Sequence, residues 1–144
     1  MVEAIRSLAA DGIKAANRRA VLKTARLGAK ELKIATRAAM YSDFDRYNPF
    51  KAANFRVPRV RTRGGEVSAG TGYTQEGSFD RFRSTGTKPR YRRGRFANAA
   101  RGSGGYTGIE TGLGMVQTAA AGTDPLFPAI TEAEMIVELK KRDL

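Results

Sequence analysis

The side chains best suited to chemistry are basic residues in the middle third of the chain. The candidate contact residues are Arg56, Arg59, Arg61, Arg63, Lys88, Arg90, Arg92, Arg93, Arg95 and Arg101. Guanidinium groups bind phosphate oxygens through two parallel hydrogen bonds, and the interleaved Tyr91, Phe96 and Tyr106 could stack on exposed bases. No complete sequence signature of a base-reading domain accompanies them, so the pattern indicates contact with a phosphate backbone. An acidic surface of a neighbouring protein would satisfy the same arginines equally well, and both partners stay open.

The chain lacks the groups on which most catalytic and metal sites are built. It contains no His and no Cys, which removes the commonest metal ligand, the usual general base at neutral pH and any thiolate. The glycine-rich stretches at 102–105 and 112–114 lack the Gly-Lys pair of a phosphate-binding loop. Asp43 and Asp45 are better explained as part of a solvated connector than as a cation site. We therefore expect no enzyme activity, no catalytic or metal-binding residue and no cofactor.

The charge is large and unevenly distributed. The net charge is +12, with 26 basic and 14 acidic residues. Residues 55–101 hold twelve basic and three acidic residues, whereas 102–139 hold five acids and no Lys or Arg. Self-repulsion of this size weakens a compact state unless a partner offsets it, so the charge predicts nucleic acid, an anionic membrane surface or an acidic protein as partner. The opposite signs of the two regions suit head-to-tail contact between copies or pairing within one chain.

Membrane insertion and export are not expected. No apolar run approaches the roughly 20 residues needed to span a bilayer. The first residues, MVEAIRSLAADG, are too polar for the apolar region of a signal peptide. We expect the protein to work in the cytoplasm where it is made, or inside a particle assembled there.

The amino-terminal region, 2–40, is predicted to be helical. It is rich in Ala, Leu, Lys and Arg, which favour helices, and its apolar residues recur at three- and four-residue spacing. The predicted buried stripe includes Ile13, Ala16, Ala20, Ala25 and Leu32, with a break expected at Asp11-Gly12. The connector that follows carries Tyr41, Phe44, Tyr47 and Phe50, which we expect to cover one end of the core.

The middle of the chain predicts a hairpin followed by an irregular arm. Residues 55–74 alternate on both sides of Gly64-Gly65, a pair that supplies the positive φ angles of a tight turn. Residues 75–105 form a basic arm or loop rich in Gly and Arg, with a short strand expected at 79–82. The arm has too little apolar content to form its own core, so we expect a partner to order it.

The carboxyl-terminal region, 106–144, is predicted to be one strand and one helix. The strand covers 106–121 and buries Ile109, Leu113 and Met115, and Thr131 with Glu134 forms a capping box that opens the helix. The whole chain then reads as a single α+β domain, 1–144. A long amino-terminal helix packs on a small antiparallel sheet with a β-hairpin, an extended basic arm and a short carboxyl-terminal helix.

Two short motifs add a family resemblance to this order of elements. Phe82, Gly86 and Thr87 form a Phe-x-x-x-Gly-Thr element after the hairpin. Pro125, Phe127 and Pro128 belong to a Pro-Leu-Phe-Pro-Ala element before the last helix. Together with the long Ala/Lys/Arg helix, these motifs resemble the tail-completion, or neck, proteins of tailed bacteriophages, which include minor tail components.

The resemblance implies a structural virion protein. Its copies would form a sixfold or twelvefold ring at the head–tail connection, in contact with portal, adaptor and tail-tube proteins, and genomic DNA would pass through the lumen without base-specific contact. The six motif residues would have structural roles, and the protein would be located in the virion after assembly in the host cytoplasm. The alternative from the residues alone is a basic RNA-binding protein of ribosomal type.

Overall fold

The computed structural model describes residues 10–40, 48–86, 90–91, 106–108 and 112–142, and the predicted α+β class is confirmed. The elements are α1 (Ala10–Ala39), β1 (Val60–Arg63), β2 (Glu66–Ala69), α2 (Ser78–Thr85), β3 (Arg90–Tyr91), β4 (Tyr106–Gly108), α3 (Met115–Thr123) and α4 (Phe127–Lys141). Single 3-10 turns cover Ala52–Asn54 and Asp124–Leu126. The strands form two separate antiparallel pairs, β1 with β2 and β3 with β4. The single-domain assignment stays a prediction.

Helix α1 is continuous over 30 residues, so the break predicted at Asp11-Gly12 is wrong. Gly12 is a packing position: a Cβ atom there would lie 2.9 Å from a guanidinium nitrogen of Arg142. The small residues Ala16, Ala20 and Ala25 are buried as predicted, and so is Leu32. Ile13, placed in the same stripe, is instead exposed. The helix is therefore held by a face of small residues that lets other elements approach closely.

Helices α3 and α4 run back along α1 in the opposite direction. Thr123 at the end of α3 lies close to Gly28, Glu134 reaches Arg19, and Arg142 covers Gly12. The strand predicted over 106–121 is present at Tyr106–Gly108 and wrong from Gly112 onwards, because 112–114 form no strand and α3 begins at Met115. Residues 109–111 lie outside the described residues. Met115, Ala119 and Thr123 recur every four residues and are buried, which suits a helix that packs on α1.

The start of α4 also differs from the prediction. Thr131 lies inside the helix, where its hydroxyl donates a hydrogen bond to the Phe127 carbonyl at 2.8 Å, so it is not a cap. The helix begins at Phe127, and Pro128 occupies its first turn, where a missing N–H is tolerated. The predicted carboxyl-terminal helix exists, but it starts five residues earlier than the capping box indicated, with Leu126 rather than Thr131 as its N-cap.

The region 75–105 contains more regular structure than predicted. The strand expected at 79–82 is wrong, because these residues lie in α2. Strand β3 pairs with β4, with Tyr91 opposite Tyr106, so the two ends of the intervening segment lie side by side. Residues 92–105 lie outside the described residues, and their ordering by a partner stays a prediction.

The apolar core joins α1, the base of the hairpin and α3. Leu32, Met40, Phe55, Tyr73, Met115 and Ala119 form its buried cluster. The Tyr73 hydroxyl lies 2.8 Å from Thr36 Oγ1 and 3.6 Å from Met115 Sδ, and burial raises the pKa of Tyr73 above its ordinary value. Of the four connector aromatics, Phe50 packs against this cluster as expected, while Tyr41, Phe44 and Tyr47 lie outside the described residues.

A cluster of ion pairs fastens α4 to α1. Glu134, only 2% exposed, accepts a hydrogen bond from Arg19 Nε at 2.6 Å and also pairs with Lys23. Glu138 accepts a hydrogen bond from Arg19 Nη2 at 2.8 Å and pairs with Arg142 at 3.4 Å. Two of the five acids of 102–139 are therefore neutralised within the chain, by cations of α1 and of the carboxyl-terminal end rather than by the basic middle region.

This ion-pair cluster predicts a loss of stability in acid. Lys23 and Arg19 hold the pKa of Glu134 below its ordinary value of 4.5, and Arg19 likewise lowers the pKa of Glu138. Because the unfolded chain binds these protons at a higher pH than the folded chain, the stabilisation is complete above pH 4.5 and lost as the pH falls through the lowered pKa values. We expect Glu134→Gln to lower the free energy of unfolding by roughly 2 kcal/mol at neutral pH and much less near pH 3.

Urea unfolding of the wild type and the variant at both pH values measures this difference. The matched control is Glu66→Gln, which changes an exposed carboxylate of β2 outside the α1–α4 contact and should have little effect at either pH. An equal loss of stability for Glu134→Gln at both pH values would show that the carboxylate charge does not hold the helices together.

Candidate polyanion-binding groove

The hairpin places its arginines on the face turned away from α1. The register pairs Arg61 with Ser68 and Arg63 with Glu66, and because side chains alternate along a strand, these four share one face. They are all exposed, whereas Val60, Val67 and Ala69 on the opposite face are partly buried. The predicted turn is confirmed, since Gly64 and Gly65 have φ angles of 57° and 84°.

Three of the predicted arginines line one groove of about 860 Å³. Arg56, Arg59 and Arg61 form its charged wall, and Arg63 lies beyond it, next to the turn. Among the described residues of the lining, Glu76 is the one acid. A groove with three guanidinium groups and one carboxylate on its walls favours an extended anion over a cation or a neutral ligand.

The floor of the groove was not predicted. It consists of small residues from the 3-10 turn before the hairpin, such as Ala52 and Ala53, and of Ser68, Gly70 and Thr74 from the returning chain. The sequence did contain a feature that could have predicted the groove, namely the small residues at alternate positions 68 and 70. Small residues there leave space beside the long arginine side chains of β1. A ligand can therefore reach the backbone between the arginines.

The groove arginines have no charge partner in the part of the chain that the structure describes. All four hairpin arginines are exposed, and no salt bridge or side-chain hydrogen bond within that part engages Arg56, Arg59, Arg61 or Arg63. Glu134 and Glu138 pair with Arg19, Lys23 and Arg142 instead. Within the described part of the chain, nothing therefore keeps the guanidinium groups of the hairpin from an external anion.

The other predicted contact residues are not brought to this groove by the described structure. Arg90 lies in β3, and Lys88, Arg92, Arg93, Arg95 and Arg101 lie outside the described residues.

The motif residues have separate positions. Phe82 lies in α2, and Gly86 follows that helix with a φ of 78°, a left-handed conformation that favours glycine. Pro125 lies in the 3-10 turn between α3 and α4, Phe127 and Pro128 lie in the first turn of α4, and all three are exposed. Thr87 lies outside the described residues.

The described residues hold neither a cluster of metal-ligating side chains nor a membrane-spanning helix. Among them, no group of three or more Asp or Glu side chains is placed to hold a metal ion. In the same part of the chain, every helix is too short or too polar to cross a lipid bilayer.

Comparisons of the chain with protein-family models, with curated proteins and with solved structures found no match.

The groove predicts salt-sensitive binding to polyanions. Each phosphate contact made by an arginine contributes about 0.9 to the slope of log affinity against log salt concentration on duplex DNA. We expect the change of Arg56, Arg59 and Arg61 to Gln to reduce this slope by roughly 2 to 3 and to weaken binding at low salt. The matched control changes Lys14, Arg18 and Lys140 to Gln, which removes the same charge from exposed positions far from the groove.

Fluorescence anisotropy with a labelled duplex of mixed sequence, over a series of salt concentrations, measures both quantities. If the control variant loses as much slope as the groove variant, binding depends on net charge alone and the groove has no special role.

Proposed function

We propose that this chain is a structural subunit of the neck or tail-completion region of a tailed bacteriophage, where copies form a ring around the DNA channel. One observation carries the proposal: the exposed arginines of the hairpin line a groove and lack charge partners within the described part of the chain. A protein that works alone gains little from such repulsion, whereas a subunit that contacts DNA or a neighbouring subunit has its charge neutralised in the assembly.

The short motifs support the same assignment. The Phe-x-x-x-Gly-Thr element includes Gly86, whose left-handed backbone conformation explains why a glycine stands there. The Pro-Leu-Phe-Pro-Ala element covers the exposed turn before α4 and the start of that helix, a position from which it can contact another protein. In this proposal α1, α3 and α4 build the ring wall, the hairpin contacts the DNA backbone or the adjacent ring, and the chain is not an enzyme.

The test is co-assembly with the virion proteins encoded beside it. The chain is purified alone and together with the portal, adaptor and tail-tube proteins of the same genome, and each sample is imaged by negative-stain electron microscopy. We expect ring-shaped particles, or an additional layer on the portal–adaptor complex. A chain that stays monomeric alone and binds none of these proteins would contradict the proposal.

A second arm of this experiment addresses ribosomal RNA. The tagged chain is recovered from host cells at low and at high salt, and bound particles are identified by their RNA. Ribosomal particles that bind at low salt and dissociate at high salt would replace the neck assignment with an RNA-binding function.

A further inference from the structure

One face of α1 is covered by α4 along its first half and left bare along its second half. The covered part contains Gly12, Ala16 and Ala20, which are buried beneath α4 and Arg142. Leu27 and Ile34 follow Ala20 at seven-residue intervals, about two helical turns each, and so lie on the same face of α1. Their side chains are 39% and 50% exposed. Because α3 packs on a different face of α1, near Gly28 and Leu32, the bare part is an apolar surface without a cover among the described elements.

Cations border this bare surface. Arg26, Lys30 and Arg37 are exposed beside Leu27 and Ile34, and these five residues are called the cationic strip here. At its end towards α4, Ile130 joins Leu27, Lys30 and Arg26 around a hollow of about 390 Å³. Glu31, the acid between Leu27 and Ile34, is half-buried and lies on the side of α3, near Gly122. A partner that offers an apolar side chain together with negative charge therefore complements the strip.

The same chain presents a surface of that description at the turn between α3 and α4. Asp124, Leu126, Phe127 and Glu132 form what is called the acidic turn here. Leu126 and Phe127 are 46% and 36% exposed, Asp124 is exposed at the same turn, and Glu132 is exposed five residues after Phe127 in α4. The sequence 124–132 contains no Lys or Arg, so its charge is purely negative.

The acidic turn and the cationic strip face different sides of the α1–α4 contact. Asp124 and Phe127 line a cavity with Val21 and Gly28, on the side of the hairpin. Ile130 lines the hollow with Leu27 and Lys30, on the other side. The two surfaces of one chain therefore do not cover each other, but those of two chains can.

We propose that the acidic turn of one copy docks on the cationic strip of the next copy. The charges favour this arrangement over a symmetric one. If the cationic strips of two copies met each other, three cations would face three cations. If the acidic turn of one copy meets the cationic strip of the next, opposite charges face each other around apolar side chains. Such a head-to-tail contact uses two different surfaces and generates a closed ring or an open filament. The inference rests on the proposed function in so far as both require copies of the chain to assemble.

Two complementary variants test the contact in the full-length chain. The strip variant carries Lys30→Glu with Ile34→Gln, and the turn variant carries Leu126→Gln with Glu132→Gln. All four residues are at least partly exposed, so we expect both variants to fold, which circular dichroism verifies. The matched control carries Val137→Gln with Lys140→Glu, an exposed apolar residue and an exposed cation elsewhere on α4.

Light scattering coupled to size-exclusion chromatography gives the mass of each sample. We expect the wild type and the control to assemble, and each variant alone to dissociate, with a dissociation constant raised at least about tenfold. Mixed in equal amounts, the two variants should form a dimer and nothing larger, since only one intact strip and one intact turn are present in each pair.

Two results would contradict the proposed contact, and both can be told apart from a failure of the proposed function. A mixture that stays monomeric while the wild type assembles would overturn the proposed contact and leave the neck function intact. A wild type that is monomeric at about 0.1 mM would also overturn it, because a contact of useful strength forms at that concentration. In that case binding to the portal–adaptor complex still decides the proposed function.

Discussion

The ion-pair cluster between α1 and α4 determines both the packing of the helices and the surface charge of the molecule. Arg19 and Lys23 hold Glu134 and Glu138 against α1, and this contact directs the carboxyl-terminal helix back along the amino-terminal one. A carboxylate buried in such a cluster is no longer available to other cations. Glu134 and Glu138 are used in this way, and the arginines of the hairpin lie exposed and without acidic partners among the described residues.

A firm base supports this exposed hairpin. Phe55 and Tyr73 pair across the start of the hairpin with ring centroids 5.6 Å apart, and the Tyr73 hydroxyl contacts Thr36 inside the core. The groove walls begin one residue beyond this anchor, at Arg56. The backbone between the arginines is already ordered before a ligand binds. Binding therefore loses less conformational entropy than it would on a flexible loop.

Local patterns predicted the elements whose signal lies within a few residues, namely the long helix α1 and the hairpin with its Gly64-Gly65 turn. Local patterns gave the wrong secondary structure where contacts between residues distant in the sequence determine it. The spacing of Leu113 and Met115 predicts alternate positions of a strand, yet α3 forms from Met115 because Met115, Ala119 and Thr123 are buried against α1. The ion-pair cluster joins residues more than 100 positions apart, which no local spacing reveals. Of the predicted contact residues, the structure unites Arg56, Arg59 and Arg61, and the groove floor depends on tertiary contacts that sequence alone does not supply.

Chemical modification of arginine, followed by mass spectrometry, tests most directly whether other molecules neutralise the hairpin. Arg56, Arg59, Arg61 and Arg63 should react rapidly in the isolated chain and become protected in the assembled particle, while Arg19 reacts slowly in both because Glu134 and Glu138 hold it. Nuclease treatment of the particle would then restore the reactivity of those arginines that contact DNA and leave protein-bound ones protected. Slow modification of the hairpin arginines in the isolated chain, or equally rapid modification in the particle, would contradict the account.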